Sequence, residues 1–192
     1  MTTGTRTALL DAAEHAARSR GFDGFSYADL SDAVGIRKAS IHYHFPTKAD
    51  LTAELMARYA ARVTDLLAEI SAAPGTGADR LKAIVAIYRE ALRGGDMTCL
   101  CVALTVAFDS VPPVVTRQMS AFRRDVAVWL EQAYQLGSAD GSIRAVAAAA
   151  MEARAMLATL EGAQLAARTE GDTGIFDAAL GLQIARCVEV GP

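Results

Sequence analysis

Residues 26–48, SYADLSDAVGIRKASIHYHFPTK, constrain the fold of this chain more than any other stretch. Two short helices joined by a tight bend need a small residue where they cross and a residue tolerant of positive φ at the bend. They also need an apolar plug after the bend and an apolar anchor further along the second helix. Ser31, Gly35, Ile36 and Ile41 meet these needs in order, and Phe45 adds another anchor. Ser26 and Asp29 form an S-x-x-D variant of the capping box that begins the first of the two helices. Pro46 separates the pair from the next helix.

The rest of the chain reads as more helices. Its 192 residues include 40 alanines and only 5 prolines, the best and the worst helix formers. Leu9, Leu10, Ala13, Ala16 and Ala17 give residues 6–20 a helical stripe. Further helices are predicted over about 38–44, 48–70, 78–93, from a cap at Asp96 through Phe108, 114–136, 143–168 and 174–189. The expectation is an all-α protein of about nine helices with no strand. The first three helices are short and polar, and the later ones are long and alanine-rich. A boundary near residue 48 therefore divides a 1–48 helix-turn-helix domain from a 49–192 helical domain.

Net charge is −3, so any attraction to a polyanion must be local. It is local. No acidic residue lies between Asp32 and Asp50, whereas Arg37, Lys38, His42, His44 and Lys48 all do. Residues 1–50 hold six basic and six acidic side chains, neutral overall but polarised. Cations gathered on one short helix are the footprint expected of a nucleic-acid reader.

The stretch GIRKASIHYHFPTKADL resembles the tetracycline-repressor (TetR) family of bacterial transcriptional regulators. Gly35, Ile36, Ala39, Ser40, Ile41, His42, Tyr43, His44, Phe45 and Lys48 carry the likeness. It is specific over residues 6–55 and topological beyond. Arg37, Ala39 and His42 depart from the family's usual Ser, Gly and Tyr, which bears on base preference and not on fold.

The resemblance implies that the helix from Lys38 lies in the major groove of double-stranded DNA. Lys38, Ala39 and His42, with Arg37, would face base edges. Ser40, Tyr43, His44 and Lys48 would grip phosphates, together with Ser26 and Tyr27. One such motif reads few base pairs, so a homodimer on a palindromic operator is expected. The last two helices would form the dimer bundle, with stripes Val146, Ala150, Ala153, Leu157, Leu160 and Phe176, Leu180, Ile184, Val188. The larger domain would bind a small, mostly apolar effector whose binding releases the operator, repression being the family default. Its candidate lining is Tyr59, Tyr88, Cys99, Cys101, Leu104, Phe108, Phe122 and Trp129, each of which also fits plain core.

Cys99 and Cys101 admit two readings, electrophile-sensing thiols or buried structural cysteines. At i and i+2 they point to different sides of a helix, so no metal is expected. No cofactor is expected either. Three sparse cysteines, no signal-peptide core and no apolar run beyond Ala145–Met151 predict a cytoplasmic protein without a membrane anchor. No Ser-His-Asp set, phosphate loop or zinc helix argues for an enzyme. The competing expectation is a helical carrier of apolar ligands that does not bind DNA.

Overall fold

The computed structural model describes residues 2–189. Among them run nine α-helices: α1 (Thr2–Arg20), α2 (Tyr27–Val34), α3 (Lys38–His44), α4 (Lys48–Ala72), α5 (Gly77–Ala91), α6 (Leu100–Thr105), α7 (Pro113–Ala139), α8 (Ala149–Glu170) and α9 (Gly174–Ile184). Short 3-10 turns cover Arg93–Gly95 and Phe108–Ser110. No strand occurs among the described residues, and the all-α expectation holds.

Helix starts follow local chemistry. The Ser26 hydroxyl accepts from the Ala28 amide while the Asp29 carboxylate accepts from the Ser26 amide, so the capping box of α2 forms. Thr76 and Asp79 do the same for α5, and Thr47 and Asp50 pair likewise at the head of α4. The hydrogen bonds hold the Asp29 carboxyl down at about 2.

The chain divides into two compact units. The first comprises residues up to Ala61 together with Leu100–Ala121. Its core takes Leu9, Leu10, Ala13 and Ala17 from α1, with Phe22, Phe25, Leu30, Ile41, Phe45, Leu51 and Leu55. Here α6 packs on α1.

The second unit comprises Arg62–Cys99 and the chain from Phe122 onward. α5, α8 and α9 pack on one another there. Buried Gln164 ties them further: its Oε1 accepts from the Cys99 amide at 2.8 Å and its Nε2 donates to the Tyr88 carbonyl at 2.7 Å. Gly77 and Gly137 let α5 and α7 approach closely. A Cβ built on Gly77 would lie 2.1 Å from the Gly137 nitrogen.

Three local expectations are corrected. The alanine run before 149 is not helical: Ala145 has φ +52, and Ile143 pairs with Cys187 in an isolated bridge. The Arg144 amide donates to the Arg186 carbonyl and the Val188 amide to the Ser142 carbonyl, so this backbone finds partners outside a helix. α6 is confined to Leu100–Thr105, which leaves Cys99 ahead of it, and Asp96 closes the Arg93–Gly95 turn instead of capping a helix. Finally, Ala153, Leu157, Leu160, Phe176 and Leu180 are buried within the chain itself. These five are core, Val146, Ala150, Ile184 and Val188 are half-buried, and a different face of α8 and α9 is left outside.

Candidate nucleic-acid interface

The site is built around the bend at Gly35. Its φ of +72 is the left-handed conformation that glycine adopts without a Cβ penalty. The Gly35 and Ile36 amides both donate to the Ser31 carbonyl, at 2.9 and 3.1 Å. The Ser31 hydroxyl donates back to the Ile36 carbonyl at 2.5 Å. The small residue at the helix crossing therefore also bolts the turn.

α3 is seven residues long and buries one narrow stripe, Ile41, which Phe45 at its C-terminal end continues. Arg37, Lys38, Ala39, Ser40, His42 and Tyr43 are all exposed. Tyr43 is 79% exposed, an aromatic that the core does not claim. His44 is half-buried with its ring edge against Tyr43. His42 lies edge-on to Tyr27 and places Nδ1 3.1 Å from the Pro46 carbonyl. A carbonyl only accepts, so Nδ1 carries the proton there and Nε2 is left as an acceptor in the neutral ring.

Arg6 and Tyr27 hold α3 in place, and Lys48 ties the head of α4 to the α1–α2 connection. The Arg6 guanidinium donates to the His44 carbonyl at 2.9 Å, pairs with Glu54 and lies 4.4 Å over the Phe45 ring. The Tyr27 hydroxyl donates to the Phe45 carbonyl at 2.8 Å, and burial pushes its pKa to about 12. The Lys48 ammonium donates to the Phe22 and Phe25 carbonyls. Further along α4, Arg58 bridges Asp11 and Glu14 of α1.

The ten candidate DNA-contacting residues are thus brought to one region but differ in availability. Arg37, Lys38, Ala39, Ser40, His42 and Tyr43 share the exposed side of α3 and its cap. Ser26, Tyr27 and Lys48 have their polar atoms engaged within the fold. Asp29 also places a carboxylate at the head of α2, where a phosphate would otherwise be welcome. Arg6 was missed by the sequence reading. Its partners lie 38 and 48 residues away, and no local signal announces them. Thr47 was legible in principle, since T-x-x-D repeats the pattern read at Ser26.

The candidate effector residues divide between the units. Tyr59, Cys101 and Leu104 are buried in the first, whereas Phe108 is 55% exposed on its 3-10 turn. Tyr88, Cys99 and Phe122 are buried in the second. Trp129 there donates its indole N–H to the Leu67 carbonyl and the Ser71 hydroxyl. Glu161 of α8 is buried and paired with Arg123 at 2.7 Å. Burial raises its pKa to about 7, opposed by the Arg123 charge.

A left-handed glycine bend presenting a short, cation-edged helix on a three-helix scaffold defines a helix-turn-helix DNA-binding regulator. Comparison with known proteins agrees. The profile described as "Bacterial regulatory proteins, tetR family" matches residues 9–55, and that of the "Tetracyclin repressor-like, C-terminal domain" matches residues 77–181. The chain belongs to the TetR family of bacterial transcriptional regulators, whose typical member is a ligand-responsive repressor.

The HTH-type transcriptional repressor KstR2 of Rhodococcus jostii (strain RHA1) is 25% identical over 148 residues, 73% of this chain and 69% of that one. A TetR-family regulator from Agrobacterium tumefaciens superposes with a TM-score of 0.91 at 29% identity, covering 97% of this chain and 98% of that one. The regulatory protein TetR from Rhodobacter sphaeroides shares the fold, with a TM-score of 0.86 at 19% identity over 95% and 98% of the two chains. Among the described residues no helix is long and apolar enough to cross a membrane, and no cluster of His, Cys, Asp or Glu suits a metal ion.

Proposed function

We propose that this protein is a cytoplasmic repressor that holds a palindromic operator through α3 and leaves it when a small molecule binds its larger domain. The observation that carries the reading is the exposed side of α3, cationic at its N-terminal end, with Ile41 and Phe45 as its buried anchors. Arg37, Lys38, Ala39 and His42 face base edges. Ala39 offers a methyl suited to thymine, and the Nε2 of His42 is an acceptor suited to the amino group of adenine or cytosine. Ser40, Tyr43 and His44 meet phosphates, with Ser26 and Tyr27 at the edge of the footprint.

Dimerisation uses the face of α8 and α9 that the chain leaves outside. Met151, Ala155, Ala158, Gly162 and Leu165 are exposed at alternating spacings of four and three. Ala178 and Leu182 on α9 and Ala185 at its C-cap do the same. Small residues flanked by Met151, Leu165 and Leu182 suit close packing in a four-helix bundle about a two-fold axis. The functional division stays near residue 48, with α4 starting the regulatory domain.

The effector is a mostly apolar small molecule taken up among Tyr88, Cys99, Phe122 and Trp129. It acts by binding the DNA-releasing state more tightly than the DNA-fitting one. Selecting bound duplexes from a random pool, then screening compounds that release them, tests the reading. A protein that enriches no sequence and binds duplex equally at low and high salt is not this repressor.

A further inference from the structure

We infer that His42 is a specificity-determining residue, a clamped ring that reads the exocyclic amino group of one adenine or cytosine in each half-site, and that Tyr27 is the positioning residue that sets it. The inference rests on the reading that α3 docks on a duplex. It adds the base chemistry that one side chain selects and the residue through which that choice is imposed.

His42 is exposed on α3, yet its ring is held from two sides. The Tyr27 ring of α2 lies edge-on to it, with centroids 4.9 Å apart and planes at 61°. The Pro46 carbonyl, in the turn between α3 and α4, lies 3.1 Å from Nδ1. Tyr27 is itself fixed, because its hydroxyl donates to the Phe45 carbonyl at 2.8 Å. The clamp therefore joins the start of α2, the middle of α3 and the turn after α3. An exposed side chain ordinarily loses rotamer freedom when it binds, and a ring held beforehand loses less. Lys38, four residues earlier on the same side of α3, is the contrasting case, a point charge on a flexible stem.

The clamp also fixes the chemistry of the ring. The hydrogen bond at one imidazole nitrogen sets the role of the other. With Nδ1–H donating to Pro46, Nε2 of the neutral ring is an acceptor. In the major groove the donors are the amino groups of adenine and cytosine, whereas guanine and thymine present acceptors. Nε2 therefore pairs with the first two bases and meets lone pairs at the others.

The experiment uses the full chain. Selection from a random duplex library, by the unaltered protein and by His42→Ala, locates the position whose preference the variant loses. That base should be adenine or cytosine. Removing its amino group, with purine for adenine or 2-pyrimidinone for cytosine, should weaken the unaltered protein about fivefold per half-site and leave the His42→Ala protein almost unaffected. Tyr27→Leu should lose the preference at that position alone, and Tyr27→Phe, which keeps the ring, should retain it. Guanine or thymine at that position, equal losses in both proteins, or a Tyr27→Leu protein with its preference intact overturns the inference.

The chain has three histidines, so long-range proton–nitrogen NMR of the free, unaltered protein at pH 8, where imidazole is ordinarily neutral, gives a measurement that needs no duplex. The resonances absent from His42→Ala assign the ring. His42 should carry its proton on Nδ1, and a proton on Nε2 overturns the clamp even if Tyr27→Leu does not fold. If the unaltered protein enriches no sequence, the docking reading fails and the base contact with it, while the NMR result still decides the clamp.

Discussion

The Tyr27 hydroxyl donates to the carbonyl of Phe45 at 2.8 Å, joining the first residue of α2 to the residue that ends α3. The phenol is thereby a strut between the two helices of the motif. Tyr27→Phe leaves that carbonyl without its donor and should cost about 1 kcal/mol of stability. The salt slope of duplex binding should not change. Chemical denaturation and anisotropy titration, run side by side, check both halves.

Glycines divide into cheap and expensive sites. Gly35 has φ +72 with nothing within 4 Å of a built Cβ, so Gly35→Ala should cost only backbone strain, about 1 kcal/mol. Gly77→Ala drives a methyl group into the backbone of Gly137 and Ala133, atoms that cannot swing aside. A loss of about 3 kcal/mol or more is expected in urea denaturation. Equal costs at the two sites would contradict this packing.

Glu161 makes stability depend on pH. Its folded pKa of about 7 stands above the ordinary 4.5, because burial disfavours the carboxylate more than Arg123 favours it. The neutral form is therefore the one the fold prefers. Its contribution is complete below about pH 4.5 and is lost as pH rises through about 7. Relative to Glu161→Gln, the unaltered protein should weaken across that window by up to about 3 kcal/mol. Parallel stability curves for the two proteins would refute the assignment.

Cys99 and Cys101 are 2% and 1% exposed, and the Cys101 sulfur lies 3.9 Å from that of Met56. Cys187 is half-buried. A small alkylating reagent should modify Cys187 first, with the other two reacting only as the fold opens locally. Mass spectrometry of peptides gives the order. Rapid reaction at Cys99 or Cys101 would contradict this order and favour the thiol-sensing reading.

Leu182 is 81% exposed and Met151 71%, on the faces proposed to meet a second copy. Leu182→Glu should weaken the dimer by at least about 2 kcal/mol, roughly 30-fold in Kd, without changing the circular dichroism spectrum. Sedimentation measures it, and an unmoved dimer would place the interface elsewhere.

Legibility in the sequence depends on range. The bend at Gly35, the cap at Ser26 and the buried pair Ile41 and Phe45 are set by neighbours within a few residues, and all were readable. The centres of the α8 and α9 stripes turn out to be core, because an apolar residue at helical spacing packs equally well on its own chain or on another. The burial of Ala153, Leu157, Leu160, Phe176 and Leu180 separates the two. The alanine run before residue 149 has high helix propensity, yet the pairing of residues 142–144 with 186–188 overrides it. The engagement of Lys48, Tyr27 and Arg6 depends on partners 18 to 48 residues distant, which no local pattern reveals.

The central claim is that the exposed side of α3 reads base edges, and competitive selection from a random duplex library tests it directly. The unaltered protein should enrich a two-fold symmetric sequence, and a Lys38→Ala, His42→Ala double variant should lose the preference at the matching positions of both half-sites while still folding. Enrichment of the same sequence by both proteins, or of none by the unaltered one, would contradict the account.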